Sequence, residues 1–219
     1  ACLSVEQETV ARTSRNVVAR IKGTDKAEEI LTLTAHYDSV PEGPGAYDNM
    51  SGAAIIMELC RYFKEHRPRR TMEFVWFGAE EKGLLGSQNY IKIHENELSA
   101  HRFNMNVDLA GQLVGGTVAG VTGHASVCSI LTYMAHEIGI GMSTKNQIWG
   151  SDSNTFAWKG IPAMTLNRDG FGMHTRHDTI ALLSDWSLER SAVLLNPISG
   201  TQSKEQILKW LRSEERRVG

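Results

Sequence analysis

"LTAHYDSVPEGPGAYDNMSGAA", residues 33–54, joins a strand, a loop and a helix start in one stretch. An apolar run ends in His36 and Asp38, a loop dense in Gly and Pro carries Glu42 to Asp48, and small residues from Ser51 open a helical pattern. Strand, polar loop and helix form the opening unit of a parallel α/β sheet. In such a sheet the carboxyl ends of the strands are where ligands gather. A histidine and three acids at that place are either solvated turn chemistry or a metal site, and the rest of the chain bears on which.

Upstream, "RNVVARIKG" (15–23) and "EILTLTAHYD" (29–38) read as strands joined by the turn-like "GTDKAE". Downstream, residues 51–66 carry Ile55, Ile56, Leu59, Cys60 and Phe63 at helical spacing. Strands follow at 70–79, 102–111, 116–123 and 161–169, and helices at 83–94, 125–139, 153–160 and 184–196. The alternation predicts an α/β three-layer sandwich, a mostly parallel mixed sheet with helices on both faces. The first two strands are joined too tightly for a crossover, so one sheet edge is expected to be antiparallel. Residues 1–197 read as a single catalytic-size domain. Residues 198–219 read as a charged tail outside the core, and whether the ends are native sequence is left open.

Bulk properties narrow the classes. The chain has 219 residues and a formal net charge of -2, which argues against a nucleic-acid surface. No apolar run reaches the roughly 18 residues a membrane span needs. No signal peptide is visible and no initiator Met is present. Cys2, Cys60 and Cys128 cannot all pair within one chain; the last two sit in helical apolar patterns and read as buried thiols, and no cysteine cluster suggests a thiolate metal site.

Polar residues at the strand ends are the informative ones. The strand at 29–38 ends in His36-Tyr37-Asp38, the strand at 70–79 runs into Glu80-Glu81, and the strand at 102–111 carries Asp108. Asp48 precedes a helix, and the loop after the strand at 161–169 holds His174, His177 and Asp178. Singly, each has an ordinary explanation: Asp48 as a helix cap, the glutamates as first-turn acids, Asp108 as a turn residue, His174 as a loop histidine. Jointly those explanations fail, because they would have to place carboxylates and imidazoles at one sheet edge by coincidence. Two divalent cations sharing one carboxylate need this set, and zinc accepts both nitrogen and oxygen. Of two adjacent glutamates, one can bind metal while the other stays free as a base.

"TAHYDS…AYDNMSGAA", "FGAEEKGLLGS", "NVDLAG", "GSDSNTFAWKGIPA" and "HTRHDT" together resemble the double-zinc aminopeptidase family, over about residues 14–195. That family includes the bacterial leucyl aminopeptidases, glutamate carboxypeptidase and glutaminyl cyclase. The resemblance implies two zinc ions per chain, with His36 and Asp108 on one, Glu81 and His174 on the other, and Asp48 bridging. It implies Glu80 as general base and Asp38 as the acid orienting His36. It also implies a strained peptide at Asp48-Asn49. His174 is preferred over His177 because the family's ligand stands four residues before the acid of its "DT" pair, here Asp178-Thr179.

Three departures from the family stand out: Met173 where several members have a tyrosine near the oxyanion, Ser151-Asp152-Ser153 where "SDH" is common, and the absence of the helical segment that usually precedes the first strand. The implied activity is removal of N-terminal residues from peptides with a free N-terminus, in a secreted or cell-envelope setting. Cyclase or carboxypeptidase chemistry, a small-molecule amide hydrolase and a non-catalytic receptor-type relative remain as alternatives. The substrate pocket is expected from loops within 112–125, 140–158 and 168–173, with Trp149, Phe156, Trp158 and Phe171 as candidate lining. Oligomeric state is not legible.

Overall fold

A computed structural model describes residues 2–8, 10–147 and 149–198. Of the tail expected at 198–219, all but the first residue lies outside the described residues. The strands are β1 (Val17–Ile21), β2 (Lys26–His36), β3 (Arg70–Phe77), β4 (His101–Val107), β5 (Thr117–Val121), β6 (Met142–Lys145) and β7 (Ala163–Arg168). The helices are α1 (Ser51–Glu65), α2 (Leu85–Ile93), α3 (Ser126–Glu137), α4 (Ser153–Ala157) and α5 (Asp185–Ile198).

The strands form one sheet in the order β1-β3-β2-β4-β7-β5-β6. β2 runs parallel to β3 and β4, β4 to β7, and β5 to β6. β1 closes one edge antiparallel, as its tight link to β2 requires, but its partner is β3. The short link passes over β3 and leaves β2 in the centre. β5 is antiparallel to β7, which the sequence did not suggest. The physical reason is the link from β4: residues 108–116 contain no helix, and a parallel neighbour needs a long crossover. β6 was not foreseen either; its four residues, Met142–Lys145, are too few to display a period.

Helices cover both faces. Against one, Leu31, Leu33 and Ala35 of β2, Met72 and Phe74 of β3, and Met105 and Val107 of β4 pack on α1, α3 and α5. Each of the leucine, methionine, phenylalanine and valine side chains contributes about 1.5–3 kcal/mol when fully buried. Against the other, Val75 and Phe77 meet Tyr90 and Ile91 of α2 and Phe156 of α4. Phe156 is therefore core and not pocket lining. Cys60 and Cys128 are half-buried free thiols, less enclosed than their helical setting suggested. Among the described residues, no helix is long and apolar enough to cross a membrane.

Candidate metal centre

β3, β2 and β4 lie side by side, so their carboxyl ends deliver Glu80-Glu81, His36 and Asp108 to one place. The loop before α1 brings Asp48 and the loop after β7 brings His174. His36 Nε2 lies 3.3 Å from Asp48 Oδ1 and 3.4 Å from Asp108 Oδ1. His174 Nε2 lies 3.0 Å from Asp48 Oδ2 and 3.3 Å from Glu81 Oε2. The two oxygens of Asp48 thus face two different histidines. Two groups of candidate ligands result, His36 with Glu80 and Asp108, and Asp48 with Glu81 and His174, each with its ligand atoms within 4.8 Å of one another. Glu80, expected to stay free, keeps company with the first group.

The surroundings hold each group in place. His36 Nδ1 lies 3.1 Å from the main-chain oxygen of Asp38. A carbonyl can only accept, so Nδ1 carries a proton there, and Nε2 is the nitrogen turned to the acids, the one that would bind a cation on giving up its own proton. The Asp38 carboxylate is 3.6 Å from the same nitrogen. It also accepts hydrogen bonds from the amides of Glu80 (3.0 Å) and Glu81 (3.2 Å). Asp38 therefore fixes a histidine and the glutamate turn together. Asp178, fully buried, accepts from the amides of Tyr47 (2.5 Å) and Asp48 (3.0 Å), tying the His174 loop to the segment that carries Asp48. Asn49 donates to the Val107 carbonyl and accepts from the amides of Gly52 and Leu109. A Cβ on Gly52 would meet Asn49 Oδ1 at 2.5 Å and the Val107 oxygen at 2.6 Å, so the close approach of α1 to β4 demands glycine there. The Asp48-Asn49 peptide is cis.

Left-handed backbone gathers at the same spot. Ala79 (φ 59°) precedes Glu80, Leu109 (φ 66°) follows Asp108, and His174 itself has φ 58°. Non-glycine residues in this region are uncommon and cluster at functional sites.

Charge compression shows in the titration behaviour. Burial pushes the Glu80 carboxyl up to about 8, with Asp108, Asp152 and Glu81 adding to it against the pull of His36. Burial and Asp48 push Glu81 up as well. For His36 burial opposes the charged form, but hydrogen bonds to Asp108, Asp38 and Asp48 outweigh it and raise the imidazole far above its usual range. Asp152 is driven up to about 7 by burial, which the Ser87 hydroxyl offsets only in part.

All seven residues singled out in the sequence, His36, Asp38, Asp48, Glu80, Glu81, Asp108 and His174, converge here. His177 is exposed and outside both groups. Trp158 and Phe171 stand 63% and 60% exposed, and Trp149 is half-buried against Gly120. Reading the sequence missed the clamps: Asp178 served only to index His174, and Asn49, Ser51 and Gln112 were given no contacts. Ser51 Oγ donates to the Tyr47 carbonyl and accepts from the Ala110 amide. Gln112, buried, makes two hydrogen bonds to the Phe171 backbone and so secures the loop that carries His174. A signal existed for Asn49 and Ser51, since polar residues flanked Asp48 directly; none existed for Gln112.

The donor set fits divalent cations. Nitrogen and carboxylate oxygen suit zinc, and Glu81 Oε1 is buried with no hydrogen-bond partner, a costly state that a bound cation would relieve.

Comparisons with known proteins agree. The chain is 42% identical over 102 residues to aminopeptidase YwaD of Bacillus subtilis, covering 46% of this chain and 22% of that protein. It is 31% identical over 164 residues to leucine aminopeptidase 2 of Trichophyton rubrum, covering 69% of this chain and 33% of that one. The solved structure of BSAP, a zinc aminopeptidase from Bacillus subtilis, superposes with a TM-score of 0.75 at 29% identity, over 82% of this chain and 48% of that one. The chain thus spans a third or less of these two relatives' length and about half of the solved structure. The Peptidase family M28 model matches residues 16–196, which takes in every residue of both candidate ligand groups, and the chain belongs to that family.

Proposed function

We propose that this chain carries the catalytic centre of a zinc-dependent aminopeptidase with two zinc ions. His36 and Asp108 would hold one, Glu81 and His174 the other, and Asp48 would bridge them. The observation that carries the reading is Asp48 itself, whose two oxygens face His36 and His174 separately. When bound, zinc supplies Lewis acidity, drawing the pKa of a water toward neutrality and taking charge from a carbonyl oxygen.

The chain's own residues supply the rest. Glu80 accepts the proton of the attacking water and returns it to the departing amine. Burial raises its carboxyl above the ordinary carboxylate range, which makes it a stronger proton acceptor than an exposed glutamate. Asp38 keeps the Glu80-Glu81 turn and the His36 ring in register. His174 is about half exposed, which opens this side of the centre to a peptide. The Tyr47 hydroxyl is committed to the Arg168 carbonyl, so oxyanion stabilisation from a side chain is not assigned to it.

The names of the relatives support a peptide substrate with a free N-terminus. The test is a panel of aminoacyl chromogenic amides, each with its N-acetylated counterpart, assayed before and after chelation. Hydrolysis of the free-amine set alone, abolished by chelation and restored by zinc, is the expected result. Equal turnover of the acetylated set, or turnover that survives chelation, would overturn the reading.

A further inference from the structure

We propose that Asn106 is a positioning residue for the metal assigned to His36 and Asp108, acting through Ser151. The inference rests on the two-zinc reading above. On the α2/α4 side of the sheet a file of buried polar side chains leads to Asp108. Asn104 Nδ2 lies 3.1 Å from Thr34 Oγ1, and Thr34 Oγ1 lies 2.8 Å from Asn106 Oδ1. Asn106 Nδ2 lies 2.7 Å from Ser151 Oγ, and Ser151 Oγ lies 2.5 Å from Asp108 Oδ2. Asn104, Thr34 and Asn106 have no exposure and Ser151 has 2%.

The end of the file dictates its direction. A carboxylate only accepts, so Ser151 must donate to Asp108. Ser151 then receives its own hydrogen bond from an Asn106 N–H, which turns Asn106 Oδ1 toward Thr34. Thr34 donates there and accepts from Asn104. The far end shows that direction has a cost: Asn104 Oδ1 is buried with no partner. Four hydrogen bonds pointing one way reinforce one another. Their product is an Asp108 carboxylate with Oδ2 held by Ser151 and Oδ1 presented 3.4 Å from His36 Nε2, one oxygen free for a cation. Asn106 is the link that joins β2 to the loop before α4, since its Oδ1 accepts from Thr34 while its Nδ2, on the other arm of the amide, donates to Ser151.

The test is titration of metal-free protein with zinc against a competing chelator, and with cobalt(II) followed by its visible absorption. Asn106→Leu should weaken one of the two metals by about 10–100-fold, the range for loss of a partner behind a ligand, and leave the other unchanged. In a His174→Ala background, which keeps only the His36–Asp108 position, the remaining metal should weaken by the same factor and its cobalt spectrum should shift. Ser151→Ala should act in the same direction, and it carries the test if Asn106→Leu does not fold. Thr165→Val, which removes a 3.4 Å contact beside the file and a 2.6 Å hydrogen bond to Ser153 but no link between Asn106 and Asp108, should leave both affinities intact. A purely structural role would lower the melting temperature of the metal-free variants without moving affinity or spectrum, and that result overturns the inference. Wild-type protein that binds no metal would overturn the two-zinc reading and this inference together. Two metals in wild type with unchanged affinities in Asn106→Leu and Ser151→Ala would overturn this inference alone.

Discussion

β2 and β4 are buried on both faces, yet the two faces are built of opposite materials. Toward α1, α3 and α5 they present Leu31, Leu33, Ala35, Met105 and Val107. Toward α2 and α4 they present Thr32, Thr34, His36, Asn104, Asn106 and Asp108. Strict alternation of this kind normally marks a half-solvated strand, while a parallel strand covered on both sides is apolar throughout. The difference teaches that the polar face is dry for a reason other than stability. Burying amides and hydroxyls gains little net free energy even when they are paired. What it gains here is orientation, since the last residue in each file, His36 or Asp108, is a candidate metal ligand.

The sharpest way to break the comparison is at the chemistry itself. Glu80→Gln should lower turnover by about 10²–10⁴-fold and leave metal content at the wild-type level, because it removes a proton carrier and no assigned ligand. Elemental analysis beside steady-state kinetics checks it, and loss of zinc in Glu80→Gln would assign Glu80 to the first ligand group instead. On the apolar face, Met105→Ala should cost about 2–5 kcal/mol of stability by denaturant unfolding, with metal stoichiometry unchanged. Metal loss from folded Met105→Ala would mean that the two faces are not separable in function.

Asp178→Asn tests the strap between the two loops. Asp178 takes two backbone amides, and an asparagine can accept only one while turning a donor against the other. Leaving such a group unmatched costs about 1–3 kcal/mol. The expected outcome is lowered stability together with weaker metal at the bridging position; unchanged affinity would free Asp48 from dependence on the strap.

The smallest effect concerns pH. Burial pushes Asp152 up to about 7, so the folded protein keeps a proton that the unfolded chain gives up near pH 4. The Asp152 contribution to the stability of the metal-free protein therefore falls as pH rises between about 4 and about 7. Asp152→Asn should flatten that slope in melting curves, and an unaltered slope would put the pH dependence elsewhere.

The strands and helices that frame the centre were legible because their periods are long: the β2 run and the α1 pattern each fill most of an element. The convergence of the candidate ligands was legible because strand-end chemistry in an α/β sheet has one place to go. β6 and the reversal of β5 were not, since the first is too short to show a period and the second depends on a missing helix. The clamps at Asp178 and Gln112 depend on contacts between segments far apart in the chain, which local pattern does not carry. The alternation of Asn104, Asn106 and Asp108 was in plain view, but alternation alone points to solvent, and only the burial of that face gives it another meaning.

The central claim is that two metal positions share Asp48, with His174 and not His177 closing the second. Zinc per chain after exhaustive dialysis, measured on wild type, His174→Ala and His177→Ala, tests it most directly. The account predicts about two, one and two, with activity near zero in His174→Ala and only the Michaelis constant altered in His177→Ala. One zinc in wild type with no gain on adding metal, or full zinc in His174→Ala with a zinc lost from His177→Ala, would contradict it.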